Sequence, residues 1–119
     1  MHLQVIRYRL AADEGDYLAL CERLAPRFAD VPGLLAKVWL RDPAGRVYGG
    51  AYLWWDQESS RRFAASDLLA EVIDSPRVTD VEVTEFAVLD EPTRVTLGIL
   101  APRHPFEQAA ASSVGSGGD

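Results

Sequence analysis

The sequence predicts one α+β domain, a ferredoxin-like βαββαβ sandwich, and three observations carry that expectation. The chain has 119 residues, of which 48% are hydrophobic and 25% charged; this is enough apolar material for one core and too little for two. The hydrophobic period switches along the chain in the order strand, helix, hairpin, helix, strand. That is the order of helices packed on one face of a four-stranded antiparallel sheet. The third strand region, Val47-Tyr-Gly-Gly-Ala-Tyr-Leu-Trp-Trp55, is apolar or aromatic on both faces, so the sheet side away from the helices needs a cover as well. A second copy of the chain, packed about a two-fold axis, supplies it. The expected assembly is a homodimer with Tyr52 or Trp54 near the interface.

Residues 3 to 10, with Val5, Ile6, Tyr8 and Leu10, form the first strand. Asp13 caps a helix whose stripe is Tyr17, Leu18, Cys21, Leu24, Ala25 and Phe28. Pro32-Gly33 ends it. Leu34 to Arg41 is the second strand, Asp42-Pro-Ala-Gly-Arg46 a turn in which Gly45 takes positive φ, and Val47 to Trp55 the third strand. Asp56 caps a second helix, with Phe63, Ala64, Leu68, Leu69, Val72 and Ile73 as its stripe, which stops at Ser75-Pro76. Val78 to Leu89 is the last strand. The domain therefore occupies 1–92. An extension, 93–106, adds a short edge strand over 94–100, and the Ala/Ser/Gly-rich 107–119 is a disordered tail.

A net charge of −6 and a pI near 4.8 exclude a nucleic-acid or anionic-membrane surface, which needs clustered cations. No apolar run reaches the roughly 18 to 20 residues of a membrane-spanning helix. The alternating start is not a leader segment, and a cytoplasmic location is expected. Cys21, alone in the sequence, makes no intrachain disulfide and reads as a buried structural thiol. The two histidines, His2 and His104, lie near opposite ends, and no cluster has metal-ligand spacing. Gly49-Gly50 sits inside a strand, so it is no phosphate loop. No metal or cofactor is expected.

A five-residue turn pairs Arg41 with Val47, which sets Trp39 opposite Gly49, Lys37 opposite Ala51 and Leu35 opposite Leu53 on one face, with Trp55 beyond. Two large side chains facing two small ones leave a hollow for a ligand. Lys37 is the single lysine beside eleven arginines, placed mid-strand between apolar neighbours. It reads either as a lysine snorkelling to water or as a desolvated amine that deprotonates an acidic phenol or enol. Glu82 and Glu85 point to opposite faces of the last strand, so one of them faces inward.

The stretches Val31-Pro-Gly-Leu-Leu-Ala-Lys-Val-Trp39 and Gly49-Gly-Ala-Tyr-Leu-Trp-Trp-Asp56, followed by a helix opening Gln57-Glu-Ser-Ser, resemble the YdhR monooxygenase family of the dimeric α+β barrel superfamily. The resemblance spans roughly residues 30 to 92. It implies a homodimer whose sheets face each other, a pocket between sheet and helices in each subunit, and an oxygenase that uses neither metal nor flavin. Haem-degrading relatives place a tryptophan at the end of the third strand, which Trp55 matches, and a ligating histidine on the next helix. The stretch from Gln57 to Ser75 has none.

The expected function is that of a cofactor-independent monooxygenase acting on a small aromatic or polyketide-like molecule. Lys37 and Glu85 are its candidate catalytic residues, and Leu35, Trp39, Ala51, Leu53, Trp55 and Phe63 line the substrate. The alternatives are a cyclase or isomerase working through the same anion without oxygen, and a non-catalytic binding module of the same fold.

Overall fold

The computed structural model describes residues 1–42 and 44–100. Its first unit, residues 1–88, runs β1 (His2–Leu10), α1 (Glu14–Ala29), β2 (Leu34–Asp42), β3 (Val47–Trp54), α2 (Gln57–Ala64), α3 (Asp67–Ile73) and β4 (Val78–Ala87). The strands pair antiparallel in the order β2-β3-β1-β4. This is the ferredoxin-like sandwich that the periodicity predicts.

Local chemistry sets the helix boundaries. Asp13 is extended and accepts from the Asp16 amide, while Glu14 and Asp16 in the first turn and Arg27 in the last suit the helix dipole of α1. Asp56 does the same for α2 through the Ser59 amide. The second expected helix is in fact two. Ser66 takes an extended conformation and accepts from the Leu69 amide, because a serine hydroxyl competes for backbone donors and favours a cap over a helix interior. That break lets α3 pack beside α1, where Arg27 forks onto Glu71 at 2.8 and 3.2 Å.

One face of the sheet carries the core. Ile6, Tyr8 and Leu10 of β1 and Tyr48, Tyr52 and Trp54 of β3 meet Tyr17, Leu20, Leu24 and Phe28 of α1, Phe63 of α2 and Leu68, Leu69 and Val72 of α3. Tyr52 and Trp54 are 4% and 0% exposed, stacked 6.0 Å apart beneath Phe63. They belong to the core, which corrects their expected place near a subunit interface. The opposite face is apolar too. Its pairings form two rows, Ala36–Leu53–Leu3–Phe86 and Val38–Ala51–Val5–Thr84, with Val38 and Phe86 half exposed.

The hairpin register differs by one residue from the expected one. Asp42 stays in the strand opposite Val47, and its side chain accepts from the Ala44 amide at 2.9 Å, so the aspartate starts the turn from within β2. Arg46 takes the positive φ, at 57°, in place of Gly45; Pro43 lies outside the described residues. Since side chains alternate along a strand, a one-residue slip exchanges the faces of every partner on β3.

A separate unit begins at Leu89 with α4 (Asp90–Leu100). The helix replaces the edge strand expected over 94–100. Pro92 falls in the first turn, where a missing N–H costs nothing, and Asp90 and Glu91 suit the dipole there. Arg94 adds a bond to Glu91 at 3.3 Å. The tail expected from 107, and His104, lie outside the described residues. Among those residues no helix is long and apolar enough to cross a membrane.

Candidate active site

Lys37 lies on the helix-facing side of β2, and the register explains what surrounds it. It pairs with Tyr52 on β3, and its neighbour on the same face, Trp39, pairs with Gly50. A Cβ at Gly50 would stand 2.9 Å from Lys37 Cε. The missing side chain is the room through which the lysine tail runs, so the hollow opposite Trp39 exists, made by Gly50 in place of Gly49.

The tail ends in a cage of rings. Lys37 Nζ stands 3.4 Å from the Phe28 centroid, 3.3 Å from that of Trp39 and 4.7 Å from that of Tyr52. Phe28 and Trp39 meet edge to face at 5.3 Å. Ring faces attract an ammonium, but among the described residues no carboxylate lines the pocket. Its wall is Tyr8, Tyr17, Leu20, Cys21, Leu24, Phe28, Trp39, Tyr52, Leu69 and Val72. Burial lowers the Lys37 amine from its ordinary value to about 7. The same burial pushes Tyr8 up to about 12 and also raises Tyr17, Tyr52 and the Cys21 thiol. Tyr8 and Tyr17 share a hydrogen bond at 2.5 Å. Glu14, on the first turn of α1, is held by Tyr48 and by Arg41. The result is a dry chamber of neutral hydroxyls and a thiol around one amine that exchanges its proton near neutrality. The cavity itself is about 10 Å³, room for about one water molecule.

Apart from Glu85, the expected site residues separate into four groups. Lys37 and Trp39 come together as expected, and Phe63 packs behind them at 4.9 Å from Tyr52. Ala51 and Leu53 lie on the opposite face of the sheet, because of the one-residue register. Leu35 leaves the pocket face through the irregularity between Leu34 and Ala36; Leu34 packs against the core while Leu35 is 39% exposed. Trp55 stands past the end of β3, 65% exposed.

Glu85 is inward as anticipated, yet far from the lysine. The pairings Lys37–Tyr52, Tyr52–Gln4 and Gln4–Glu85 put them at the ends of one row across four strands, about 14 Å apart at the usual strand spacing. There Glu85 Oε1 accepts from His2 Nε2 at 2.5 Å and Ser60 Oγ at 3.1 Å. The His2 bond is the main reason its carboxyl is held below the usual range. Glu82 faces the other way and pairs with Arg7 at 2.9 Å.

Sequence reasoning missed Phe28, Tyr52, Tyr8, Tyr17 and Cys21 as site residues, assigning them to core or interface. Tyr17, Cys21, Leu24 and Phe28 are one stripe of α1, and the signal that could have found them is the lysine that stripe must cover. Among the described residues no group of three or more His, Cys, Asp or Glu side chains is placed to hold a metal ion.

Fold and site together define a ferredoxin-like α+β sandwich in residues 1–88, with an aromatic chamber between sheet and helices. The chain belongs to the YdhR family: the profile described as "Putative mono-oxygenase ydhR" matches residues 5–99. Among solved structures it is similar to SnoaB, a cofactor-independent oxygenase from Streptomyces nogalater, at 22% identity and a TM-score of 0.60 over 76% of this chain and 97% of that one. It is also similar to the haem-degrader MhuD from Mycobacterium tuberculosis, at 20% identity and a TM-score of 0.52 over 75% and 96%. At such identities the likeness is one of fold. No curated protein matches the sequence significantly.

Proposed function

We propose that this protein is a cofactor-independent monooxygenase of the cytoplasm, working as a homodimer on a small, flat aromatic or polyketide-like substrate held between sheet and helices. The observation that carries this reading is the Lys37 amine, enclosed by Phe28, Trp39 and Tyr52 with no carboxylate in the pocket wall. Family membership and the likeness to a cofactor-independent oxygenase support it. A neutral amine takes the proton of a phenol or enol, and the resulting ammonium stays beside the anion. The anion gives an electron to oxygen, and the two radicals combine to a peroxide, which loses water. A phenol with a free ring position plus O2 thus becomes a quinone plus H2O. The protein binds, deprotonates and keeps bulk water out. Substrate enters beside the Lys37 tail on the Trp39 side, where the cage meets solvent with Trp39 38% exposed.

The apolar outer face of the sheet supports the dimer, with Val38 and Phe86 meeting their counterparts in a second copy. Light scattering at micromolar concentration reads a dimer; a monomer overturns that part. For the chemistry, the full chain is incubated with a panel of hydroxylated fused-ring aromatics under ¹⁸O2 and under argon. One ¹⁸O atom per product and no turnover under argon support the oxygenase. Turnover under argon replaces it with a cyclase or isomerase, and binding without turnover replaces it with a binding module.

A further inference from the structure

We infer that Lys37 is also a covalent capture site, whose amine condenses with the carbonyl of an aromatic aldehyde or ketone to form an imine. The inference uses the same pocket as the oxygenase reading but needs no oxygen. Three features carry it.

The first is placement. The chain has one lysine beside eleven arginines, and five of the arginines serve ion pairs: Arg7, Arg27, Arg41, Arg62 and Arg94 each bind a carboxylate. The one position with an amine is the enclosed one. A guanidinium there could bind an anion but could neither lose its proton nor form an imine. The second is the wall. Of the groups lining the pocket beside the amine, the titratable ones are Cys21 and Tyr17 of α1, Tyr8 of β1 and Tyr52 of β3, and the rest are apolar or aromatic. Among the described residues no acidic side chain lines the pocket to hold the ammonium form, and burial works against it, which is the setting of amine nucleophiles toward carbonyls. The third is dryness. A cavity of about 10 Å³ keeps bulk water from the resting amine, and the aromatic part of a captured compound takes the place of the lysine tail against Phe28 and Trp39.

The step balances without an oxidant. The nitrogen lone pair forms a bond to the carbonyl carbon, the oxygen leaves as water with both amine hydrogens, and a C=N bond remains.

The test incubates the full chain with 2-hydroxy-1-naphthaldehyde and sodium cyanoborohydride at pH 7.5, followed by intact mass and peptide mapping. The expected result is one adduct on Lys37, formed at least tenfold faster than on free Nα-acetyl-lysine at the same pH. Lys37→Arg, checked for folding by circular dichroism, keeps only the slow label on the Met1 α-amine. An adduct confined to Met1, or a Lys37 adduct no faster than the free amino acid, overturns the inference. The two readings fail separately. Capture of the aldehyde without ¹⁸O incorporation leaves this inference standing and removes the oxygenase, and ¹⁸O incorporation without a Lys37 adduct does the reverse.

Discussion

The helix-facing side of the sheet carries a charged group at each end of one row, Lys37 on β2 and Glu85 on β4, with Tyr52 and Gln4 between. The two ends are built in opposite ways. Glu85 receives donors from His2 and Ser60 and keeps a side chain 41% exposed, so its charge is satisfied twice over and has little left to do. Lys37 receives only ring faces, and its amine remains available. The contrast separates a charge that holds the fold from one that the fold holds ready. It also explains why the two candidate catalytic residues cannot serve one substrate atom: three strand spacings lie between them.

The largest expected effect tests the shared floor of the two ends. Trp54 is fully buried, stacked on Tyr52 and bonded through its indole N–H to Gln4 at 3.1 Å. Trp54→Ala should cost about 3–5 kcal/mol in urea unfolding. A loss below 1 kcal/mol would mean that this floor is not the core.

Lys37→Met comes next, and it acts on function. It should lower turnover of an identified substrate by about ten- to a hundredfold, or about 1.5–3 kcal/mol, while urea unfolding at pH 6 shows a variant at least as stable as its parent. Parental turnover would place the lysine with the scaffold. At the other end, Glu85→Ala strips an acceptor from a buried histidine and a buried serine. The expected cost is about 1–2 kcal/mol of stability with turnover per folded molecule unchanged; a selective fall in turnover would erase the contrast between the ends.

The pH response has the same sign at the two ends, stability rising with pH, but it falls in different windows. Glu85 has its pKa lowered in the fold, so its contribution is present above the unfolded value and fades as pH falls through the folded one. Lys37 is also lowered, to about 7, but it is a base. Between about 7 and its unfolded value near 10.4 the unfolded chain binds the extra proton, so stability gains from this group as pH rises through that window. Comparing parent and Lys37→Met by urea unfolding at pH 7 and 9 should show the gap between them closing at the higher pH. Parallel behaviour would mean that the amine titrates normally. A modest effect is expected from Gly50→Ala, whose Cβ would crowd Lys37 Cε at 2.9 Å and the Tyr52 ring at 3.1 Å. The lysine tail yields cheaply, but the Tyr52 ring at 3.1 and 3.3 Å is part of the core and must shift a few tenths of an ångström, so stability should fall by about 1–2 kcal/mol while the amine leaves its cage and loses reactivity.

Much of this was legible in the sequence because period and caps are local. Asp13 and Asp56 announce their helices, and Lys37 stands out by composition and by its apolar neighbours. What escaped depends on single residues whose effect is not local. Asp42 continues a strand while starting a turn, and that one position moved Ala51 and Leu53 to the outer face. Ser66 splits a helix that its apolar stripe would continue. The irregularity at Leu34 to Ala36 turned Leu35 outward, and the cage could not be seen until α1 was laid across β2, since Phe28 and Lys37 meet only in the folded chain.

The central claim is that the Lys37 amine is enclosed, unpaired and ready to give up its proton near neutrality. Because the chain has one lysine, protein grown with ¹³C-labelled lysine shows a single ¹³Cε resonance from this side chain, which can be followed from pH 5 to 11. The account predicts a titration midpoint near 7, moving toward the ordinary range in Gly50→Ala. A midpoint near 10.4 in the parent would contradict it.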